Sequence, residues 1–317
     1  MSDLLFYNLY IMQSIVKMFM ENDIFKACKD GDIKTVKKYI KDKRDVNAKD
    51  QKSGLSLLHI ACMFHHLELV ELLLDNGANI NSTNNNGSTP LHIACKYNFE
   101  DCIGDKLGVV ELLLKKNIDF KIKNKDGMTA LHMLCRYHYQ DKNVAHVYAL
   151  IKYGSHVNEK DNHGTTPLHY VCDSLTDSSV YVELLVNNGA NVNAIDNNGM
   201  SPLHYACNHR NNNANTAVTL INNGACVDTQ YDNGYTCLHQ ACINGNHDMV
   251  IELLKHCYVN CRDNDKNTPL HYAIDFGYTD IVKTLQSHGS IFVENKYGIT
   301  ANDMMTGNNF DCYCPFY

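Results

Sequence analysis

The chain has 317 residues, of which 44% are hydrophobic, and its 28 Lys and Arg residues against 35 Asp and Glu residues give a net charge of −7. This mild acidity, without a long block of like charges, argues against a nucleic acid or an anionic membrane surface as a partner. The length is sufficient for two ordinary domains, unless an internal repeat extends one continuous core along the chain.

Residues 1–22 are apolar, but polar side chains such as Asn8, Gln13 and Lys17 interrupt them. The segment is too short and too interrupted to span a bilayer. Asp3 precedes the apolar run and no small-residue cleavage site follows it, which is unlike a secretory signal. We expect a capping helix or a partly disordered extension, with association at a membrane interface as the alternative.

Residues 23–47 carry apolar side chains at helical spacing, among them Ile24, Val36 and Ile40. A run of cations lies between these apolar positions, on the side expected to face solvent: Lys34, Lys37, Lys38, Lys41, Lys43 and Arg44. An array of repeats needs such a polar outer face at its end. The sequence therefore predicts an N-terminal capping repeat, with a basic docking patch as the alternative interpretation of the cations.

The rest of the chain is organised by one recurring stretch, which reads Asn-Asn-Asn-Gly-Ser-Thr-Pro-Leu-His-Ile-Ala-Cys in its first clear copy. The clear copies are Asn84–Cys95, Asp161–Cys172, Asp196–Cys207 and Asp232–Cys242. Diverged copies surround Gly54, Gly127 and Asn267. We place the turn residues at Gly54, Gly87, Gly127, Gly164, Gly199, Gly234, Asn267 and Gly298, with spacings of 33, 40, 37, 35, 35, 33 and 31 residues. Self-similarity at such a period indicates a repeat protein.

Each copy predicts a turn followed by two helices. The Asn-Gly step suits a tight turn, since Gly tolerates positive φ. Thr is a good N-cap and Pro fits the first helical position, so Thr-Pro begins the first helix. The second helix follows in segments such as Leu69–Leu74 and Val109–Leu114. Glycines then end the second helices in the left-handed conformation: Gly77, Gly154, Gly189, Gly224 and Gly289.

A period near 33 residues with Thr-Pro-Leu-His-x-Ala resembles the ankyrin repeat. The resemblance implies an all-α fold, an ankyrin-repeat solenoid of stacked helix-turn-helix units with short hairpin fingers. We predict an N-terminal capping helix or extension at 1–22, a repeat array at 23–305 and a C-terminal tail at 306–317. The array would hold a capping repeat, about seven repeats and a truncated final unit.

Four repeats are longer than the period, and each has its extra residues between the first and second helix: 99–106, 139–143, 173–179 and 209–215. Such insertions should emerge on one edge of the stack and leave the core untouched. They form either a partner-specific crest or a surface loop that has drifted, and the sequence does not distinguish the two.

Seven histidines share the position after Leu: His59, His92, His132, His169, His204, His239 and His271. The resemblance implies that each bonds backbone near the hairpin and ties neighbouring repeats. Residues spaced one repeat apart cannot converge on one metal ion, whose ligands lie within roughly 2.1 Å of it. We therefore expect no catalytic residue, metal or cofactor; other His and Cys residues, such as His65, His66 and Cys261, have no assigned role.

Seven of the 14 cysteines also share one position: Cys28, Cys62, Cys95, Cys135, Cys172, Cys207 and Cys242. Neighbouring helices pack about 8–10 Å apart, which exceeds the Cα separation of about 7 Å that a disulfide allows. These side chains are predicted to be small buried hydrophobes in a reducing compartment. Cys312 and Cys314 in the tail do not match a Cys-x-x-Cys metal or redox spacing.

The resemblance implies a non-enzymatic scaffold that holds a protein partner on the concave ankyrin surface. Our candidate contacts flank the turns: Lys52, Ser88, Lys125, Met128, His163, Met200, Asn233, Tyr235 and Lys266. Met128, Met200 and Tyr235 rank first, because large adaptable side chains at exposed tips suit binding hot spots. Packing against the adjacent hairpin is the other interpretation of these three.

A pathogen-encoded effector or decoy that binds a host signalling or transcription factor is the alternative function. The abundance of Asn, Lys, Ile and Tyr is typical of a low-GC genome, such as that of a large DNA virus. A metal-dependent enzyme is the third possibility. We expect a monomeric, cytoplasmic protein, or one of the host cytoplasm or nucleus if a pathogen encodes it, without nucleic acid or membrane partners.

Overall fold

The computed structural model describes residues 23–97, 106–137, 143–174, 176–208 and 214–306. The described residues form 17 α-helices, and their only β pairing consists of two isolated bridges, Lys49 with Ser56 and Glu294 with Thr300. The predicted all-α fold class is confirmed. The segments 1–22 and 307–317, predicted as an N-terminal cap and a C-terminal tail, lie outside the described residues.

The chain divides into two compact units. Unit 1 comprises Met1–Tyr137 and Ala145–Ser155. Its helices are α1 Asp23–Asp30, α2 Ile33–Lys41, α3 Leu57–Met63, α4 Leu67–Asp75, α5 Pro90–Lys96, α6 Lys106–Lys115, α7 Ala130–Arg136 and all but the first residue of α8 Val144–Lys152. The first helices of the repeats pack in series, α1 on α3, α3 on α5 and α5 on α7, and the second helices form another layer in which α4 packs on α6.

Unit 2 comprises His138–Val144 and His156–Tyr317. Its helices are α9 Pro167–Cys172, α10 Ser179–Asn187, α11 Pro202–Cys207, α12 Ala214–Asn222, α13 Cys237–Asn244, α14 His247–Leu253, α15 Pro269–Asp275, α16 Thr279–Ser287 and α17 Ala301–Thr306. Here too the first helices, α9, α11, α13, α15 and α17, pack in one series and the second helices, α10, α12, α14 and α16, in another. Both units therefore have the two-layer packing of stacked helix pairs.

The core of each unit lies between the two helix layers. The Leu and the Ala or Cys of the repeated stretch are buried, as in Leu91, Ala94 and Cys95 of α5. The seven cysteines at the shared position are all buried and unbridged, as predicted for small hydrophobes. On α2, the cations Lys34, Lys37, Lys38 and Lys41 are exposed while Val36 is fully buried, which is the predicted arrangement of that helix.

Asparagine side chains join several of the repeats to the repeat that follows, and we call this contact the asparagine clamp. In Asn158, Asn193 and Asn260, Nδ2 donates to the carbonyl of the glycine that ends the next second helix, at 2.8, 2.9 and 3.1 Å. Their Oδ1 atoms accept from backbone N–H groups two residues beyond that glycine, at 2.7, 2.8 and 3.0 Å. Asn47 makes the same pair of bonds in unit 1. Part of the asparagine content thus has a structural role beyond the compositional bias noted in the sequence.

The insertions lie between the first and second helices, as the spacing predicted: between α5 and α6, α7 and α8, α9 and α10, and α11 and α12. Residues 98–105, 138–142, 175 and 209–213 are outside the described residues. Whether the insertions bind a partner therefore stays a prediction.

One turn residue was misplaced by the sequence analysis. Asn267 was assigned to the position of the turn glycines, but the residue with positive φ is Lys266, at 60°. Lys266 lies three residues before Pro269, as Gly164 lies three residues before Pro167. The pattern was ambiguous because this repeat has no glycine, and a side-chain-bearing residue adopts the left-handed conformation instead.

We expect Lys266→Gly to stabilise the protein. A residue with a Cβ in the left-handed conformation costs roughly 1–2 kcal/mol, which glycine would relieve. Part of this stabilisation is lost because glycine raises the entropy of the unfolded chain. The free energy of unfolding should therefore rise by about 0.5–1 kcal/mol in urea titrations followed by circular dichroism. Gly234→Ala is the converse change: at φ 76° its Cβ would lie 2.7 Å from the backbone nitrogen of Asn264, so stability should fall. An unchanged or lower stability of Lys266→Gly would contradict the assignment.

Candidate functional site

The hairpin of each repeat is fixed to its first helix by the histidine of the repeated stretch. In α5, Nδ1 of His92 accepts from the backbone N–H of Thr89 at 3.2 Å and from its hydroxyl at 2.8 Å. The Thr hydroxyl in turn caps the helix by accepting from the His92 N–H. His92 thus takes the place of the Glu or Gln of an ordinary capping box. The reciprocal cap recurs at every first helix from α3 to α15.

The other ring nitrogen of these histidines reaches the next repeat. Nε2 of His59 and of His92 lies 3.0 Å from the carbonyl oxygens of Ser88 and Met128. In unit 2, His169, His204, His239 and His271 bond backbone carbonyls of the following repeat at 3.0–3.3 Å. A carbonyl only accepts, so Nε2 carries the proton and Nδ1 accepts. The predicted role of tying neighbouring repeats is confirmed for these six histidines.

Burial keeps these rings neutral. Desolvation lowers the pKa of His59, His92, His204 and His239 to about 4, and it lowers the pKa of His169 and His271 in the same direction. The cysteines respond in the opposite direction because their charged form is the thiolate: burial raises the pKa of Cys28 and Cys95 to about 12. Both groups are therefore uncharged at neutral pH, which suits packing and hydrogen bonding.

Three residues left unassigned by the sequence also have structural contacts. Nε2 of His65 bonds the carbonyl of Tyr97 at 3.0 Å, and Nε2 of His66 bonds the carbonyl of Lys29 at 2.7 Å. Sγ of Cys261 lies 3.3 Å from Oγ1 of Thr236 and 3.7 Å from Nδ1 of His239. Burial raises the pKa of Cys261 to about 11, so this Cys–His contact is between two neutral groups. It lacks the thiolate that nucleophilic catalysis by cysteine requires.

Within the described ranges, no three His, Cys, Asp or Glu side chains come together as a metal site would require. The helices in the same ranges include none with the length and apolarity needed to cross a bilayer.

The predicted contact residues differ in exposure. Lys52, Lys125, His163, Asn233 and Lys266 are exposed, and Met200 and Tyr235 are half-buried. Ser88 and Met128 are buried, with 5% and 2% of their surfaces accessible. The ranking of Met128 as an exposed tip residue was wrong: the side chain is covered, and its sulfur accepts a 3.9 Å contact from Nη1 of Arg136. The alternative interpretation, packing on a neighbour, describes Met128.

Tyr235 is likewise not an exposed tip. Its ring stacks on His239 with centroids 5.9 Å apart and meets Tyr231 and Tyr272 edge-on at 5.7 and 5.5 Å. Its hydroxyl lies 3.1 Å from the Tyr272 hydroxyl and donates to it, since the proton of Tyr272 goes to the Asp263 carboxylate. Tyr235 therefore stiffens two neighbouring repeats and presents only part of its ring outward.

The exposed candidates lie on successive hairpins that are joined through the backbone. The Lys52 carbonyl accepts from Nδ2 of Asn85, and the Lys125 N–H donates to the Asn86 carbonyl. In unit 2, the carbonyls of His163 and Asn233 accept from the N–H groups of Asn197 and Asn264. Lys52 and Lys125 belong to unit 1, whereas His163, Asn233 and Lys266 belong to unit 2, so the candidates form one hairpin edge in each unit.

A second contact ties the turn to the first helix nine residues later. The hydroxyls of Tyr170, Tyr205 and Tyr272 donate to the carboxylates of Asp161, Asp196 and Asp263 at 2.6, 2.9 and 2.6 Å. In the remaining full repeat of unit 2 the two roles are exchanged: Tyr231 on the turn donates to Oε1 of Gln240 on the helix, at 2.8 Å. The hydrogen bond between turn and helix is thus present even where the two residue types have changed places, which indicates that the hairpins are held rigidly against the helices.

Sequence analysis missed the residues at the C-terminal ends of the first helices. In unit 1 these are Lys96 at the end of α5 with Tyr97 after it, and Arg136 at the end of α7 with Tyr137 after it; Arg136 is exposed and the other three are half-buried. They lie seven and eight residues after the Thr cap, and the same position varies freely along the chain. Comparing the copies beyond the Cys position would have revealed them.

The overall charge also conceals an asymmetry. Residues 1–155 carry 21 Lys and Arg against 18 Asp and Glu, while residues 156–317 carry 7 against 17. The net charges are therefore +3 and −10. The total of −7 does not show this asymmetry along the sequence.

Stacked helix pairs, joined by hairpins that histidines cap and tie together, define an all-α repeat protein. The chain matches the family model of ankyrin repeats over residues 24–104, 102–194, 140–231 and 210–296. The chain belongs to the ankyrin repeat family, as the Thr-Pro-Leu-His stretches predicted. Ankyrin repeats are in general non-enzymatic interaction modules, which agrees with the expected protein-interaction role.

Curated relatives share parts of the array. The chain is 39% identical over 71 residues to protein phosphatase 1 regulatory subunit 27 of Homo sapiens, covering 22% of this chain and 46% of that protein. It is 47% identical over 51 residues to the nuclear factor NF-kappa-B p105 subunit of Mus musculus, covering 16% and 5%. It is 35% identical over 86 residues to tyrosine-protein kinase HTK16 of Hydra vulgaris, covering 26% and 11%. The chain thus spans less than half of the length of each of these proteins.

Proposed function

We propose that this chain is a non-enzymatic scaffold that binds a protein partner through the hairpin edges and the ends of the first helices. The observation that carries the proposal is that each repeat has one set of positions with structural roles and another set of variable, exposed positions. The His, Thr and Cys positions are committed to capping, to ties between repeats and to the core. The residues beside the turns and after the first helices vary from repeat to repeat and include many exposed side chains.

The rigidity of this surface supports binding by a preformed face. Successive hairpins are linked by backbone bonds, and each is fixed to its helix by a histidine cap. A surface that is ordered before binding loses little conformational entropy on association. We further propose that residues 23–305 act as the array, that the protein is monomeric and intracellular with reduced cysteines, and that its partner is a protein and not a nucleic acid.

The regulatory-subunit relative supports an interaction role, although the shared part is short. The pathogen-encoded decoy stays an alternative assignment of the same binding surface, and the asymmetry of charge does not favour it over a general scaffold.

The test is affinity capture by the immobilised full chain, followed by mass spectrometry, with two variants of equal size. One variant changes the exposed hairpin residues Lys52, Lys125, His163 and Asn233 to Ala. The other changes exposed residues of the second helices, Lys37, Glu68, Glu183 and Lys283, to Ala. We expect a protein that the unaltered chain and the second variant retain and the first variant loses. Equal recovery by all three would contradict binding at the hairpin edges, and stoichiometric retention of a transition metal would favour the enzyme alternative.

A further inference from the structure

The outer face of α2 in unit 1 carries four lysines in one row, which we call the lysine stripe: Lys34, Lys37, Lys38 and Lys41. All four are exposed, whereas Val36 on the opposite side of the helix is fully buried. Residues three and four apart lie on one face of a helix, and the stripe is about 10 Å long at 1.5 Å per residue. Lys43 and Arg44, which are also exposed, come just after the helix and extend the positive surface.

Nearby carboxylates do not neutralise the lysine stripe. Residues 24–49 contain nine Lys and Arg residues against four Asp and no Glu, which gives a net charge of +5. Of the four, Asp32 caps α2 by accepting from the N–H and hydroxyl of Thr35, and Asp45 accepts from the Asn47 N–H. Within the part of the chain that the structure describes, no carboxylate forms an ion pair with a lysine of the stripe, and this includes Glu68 and Glu71 on α4.

The residues that precede α1 cannot neutralise the stripe by their number. Residues 1–23 contain three carboxylates, Asp3, Glu21 and Asp23, and one cation, Lys17. Counted together, residues 1–49 hold ten cations against seven carboxylates and keep a net charge of +3. The excess of positive charge therefore does not depend on where those three carboxylates lie.

The fold does not require the stripe. Like charges three and four residues apart on a helix repel each other and destabilise it. Other second helices carry carboxylates or ion pairs on their outer faces: Glu68 and Glu71 on α4, Glu111 with Lys115 on α6, and Asp280 with Lys283 on α16. Among the second helices in the described ranges, α2 alone has more than one Lys and no acidic residue. The stripe is therefore a feature of what this surface attracts.

We propose that the lysine stripe attaches the protein to a membrane surface rich in anionic phospholipid headgroups. This binding goes beyond the proposed scaffold function and uses residues other than those of the hairpin edges. Clusters of four to eight Lys and Arg residues on an amphipathic helix are typical of segments that bind anionic headgroups. Lysine ammonium groups are compact, hydrated point charges on flexible stems, which suits a fluid layer of phosphates.

Other ligands fit the stripe less well. A fixed carboxylate of a protein is best held by the planar fork of Arg, and the stripe consists of Lys alone. A partner groove that accepts an amphipathic helix needs its apolar face, and that face of α2 is buried at Val36, where α2 packs on α1. A nucleic acid draws on about six to ten phosphate contacts, and four charges along about 10 Å provide fewer.

The attachment is electrostatic, without insertion into the lipid, because the apolar face of α2 is committed to the core. We expected no membrane partner because the total charge is acidic. Exposed charges are screened beyond about 10 Å at 0.1 M salt, so the local charge decides binding and the total does not. The acidic excess belongs to residues 156–317, at −10, whereas residues 1–155, which include α2, hold +3.

The test is sedimentation of the full chain with vesicles of phosphatidylcholine, alone or with about 30% phosphatidylserine, at about 0.1 M NaCl. One variant removes the stripe by changing its four lysines to Gln. The matched control changes four exposed lysines elsewhere in unit 1 to Gln: Lys52, Lys115, Lys121 and Lys152. Both variants should keep the circular dichroism spectrum of the unaltered chain. The urea midpoint of the stripe variant should be equal or higher, because repulsion between the lysines is removed.

We expect the unaltered chain to bind the vesicles that contain phosphatidylserine, and the stripe variant to bind them at least about tenfold more weakly. The control variant should lose less than about threefold. Vesicles of phosphatidylcholine alone should retain none of the three proteins, and about 0.5 M NaCl should release the unaltered chain, since salt screens exposed charges.

Absence of binding by the unaltered chain, or equal losses in the two variants, would overturn the proposal. Binding to phosphatidylcholine alone that salt does not reduce would overturn it in favour of apolar insertion. A peptide of alternating Glu and Gly and a single-stranded oligonucleotide, each labelled with fluorescein, are titrated in parallel. Tighter binding of either probe through the same four lysines would replace the membrane by that polyanion.

Discussion

Lowering the pH from about 7 to about 5 is expected to destabilise the protein strongly. His59, His92, His204 and His239 have pKa values of about 4 in the folded state, below the ordinary value of 6.5. Between these values the unfolded chain binds protons that the folded chain does not, so the free energy of unfolding falls as the pH falls. Each histidine contributes about 1.4 kcal/mol per pH unit within that window, and the four together roughly 5 kcal/mol per pH unit. The free energy of unfolding of a typical domain is about 5–15 kcal/mol, so a loss of this size is a large part of the total stability.

Urea unfolding at a series of pH values, followed by circular dichroism, measures this dependence. The midpoint should be constant above about pH 7 and fall steeply below about pH 6. Carboxylates bind protons at lower pH; hydrogen bonds from Thr35 lower the pKa of Asp32 further from its ordinary value of 3.8. His92→Gln should reduce the slope by about one proton. A midpoint that stays constant down to about pH 4.5 would show that the buried histidines do not control stability.

Replacing His92 by Ala is expected to cause the largest loss of stability among single substitutions at the repeated stretch. The change leaves the buried Thr89 N–H without its acceptor and the Met128 carbonyl without the donor that ties it to the preceding repeat. An unsatisfied buried polar group costs about 1–3 kcal/mol, and the lost imidazole leaves a cavity besides. We expect the free energy of unfolding to fall by roughly 4 kcal/mol.

The comparison variant for this prediction is His163→Ala, because His163 is exposed at a hairpin tip. An exposed substitution of this kind typically changes stability by less than about 0.5 kcal/mol. Hydrogen exchange should show faster opening of the amides around α5 and α7 in the His92 variant only. A loss below about 1 kcal/mol for His92→Ala would mean that water or a rearranged hairpin replaces the lost contacts.

The sequence predicted those features that each repeat specifies locally. Thr caps the first helix, His92 and its equivalents bond the hairpins, and Cys95 packs in the core, because identical neighbours surround each of these residues in every copy. A pattern that recurs with its surroundings can be interpreted from one copy. The ankyrin resemblance was therefore sufficient for the fold and for the structural role of the histidines.

Exposure at the candidate site was not predictable in the same way. Met128 is covered by Arg136, eight residues further along the chain, and Tyr235 packs on Tyr272 from the next repeat. The proximity of Lys96 and Arg136 depends on two repeats separated by an insertion. Lys266 was not recognised as the turn residue, because it adopts the left-handed conformation that glycine has in the other repeats. In each case the outcome depends on a long side chain from a different copy, which a single repeated pattern does not contain.

The asparagine clamp has a direction: the Asn side chain of one repeat bonds the backbone of the next repeat through both its amide nitrogen and its amide oxygen. A duplicated repeat would thus bring one clamp for its successor and receive one from its predecessor, without any change to either neighbour. Adding or removing a whole unit that has this Asn would therefore leave the clamps of its neighbours intact. At Asp228 the clamp between two repeats is incomplete. Its carboxylate accepts from the Tyr258 N–H but has no amide hydrogen to donate. Separating the two repeats at this junction would break one clamp bond, whereas separating repeats at a complete clamp would break two.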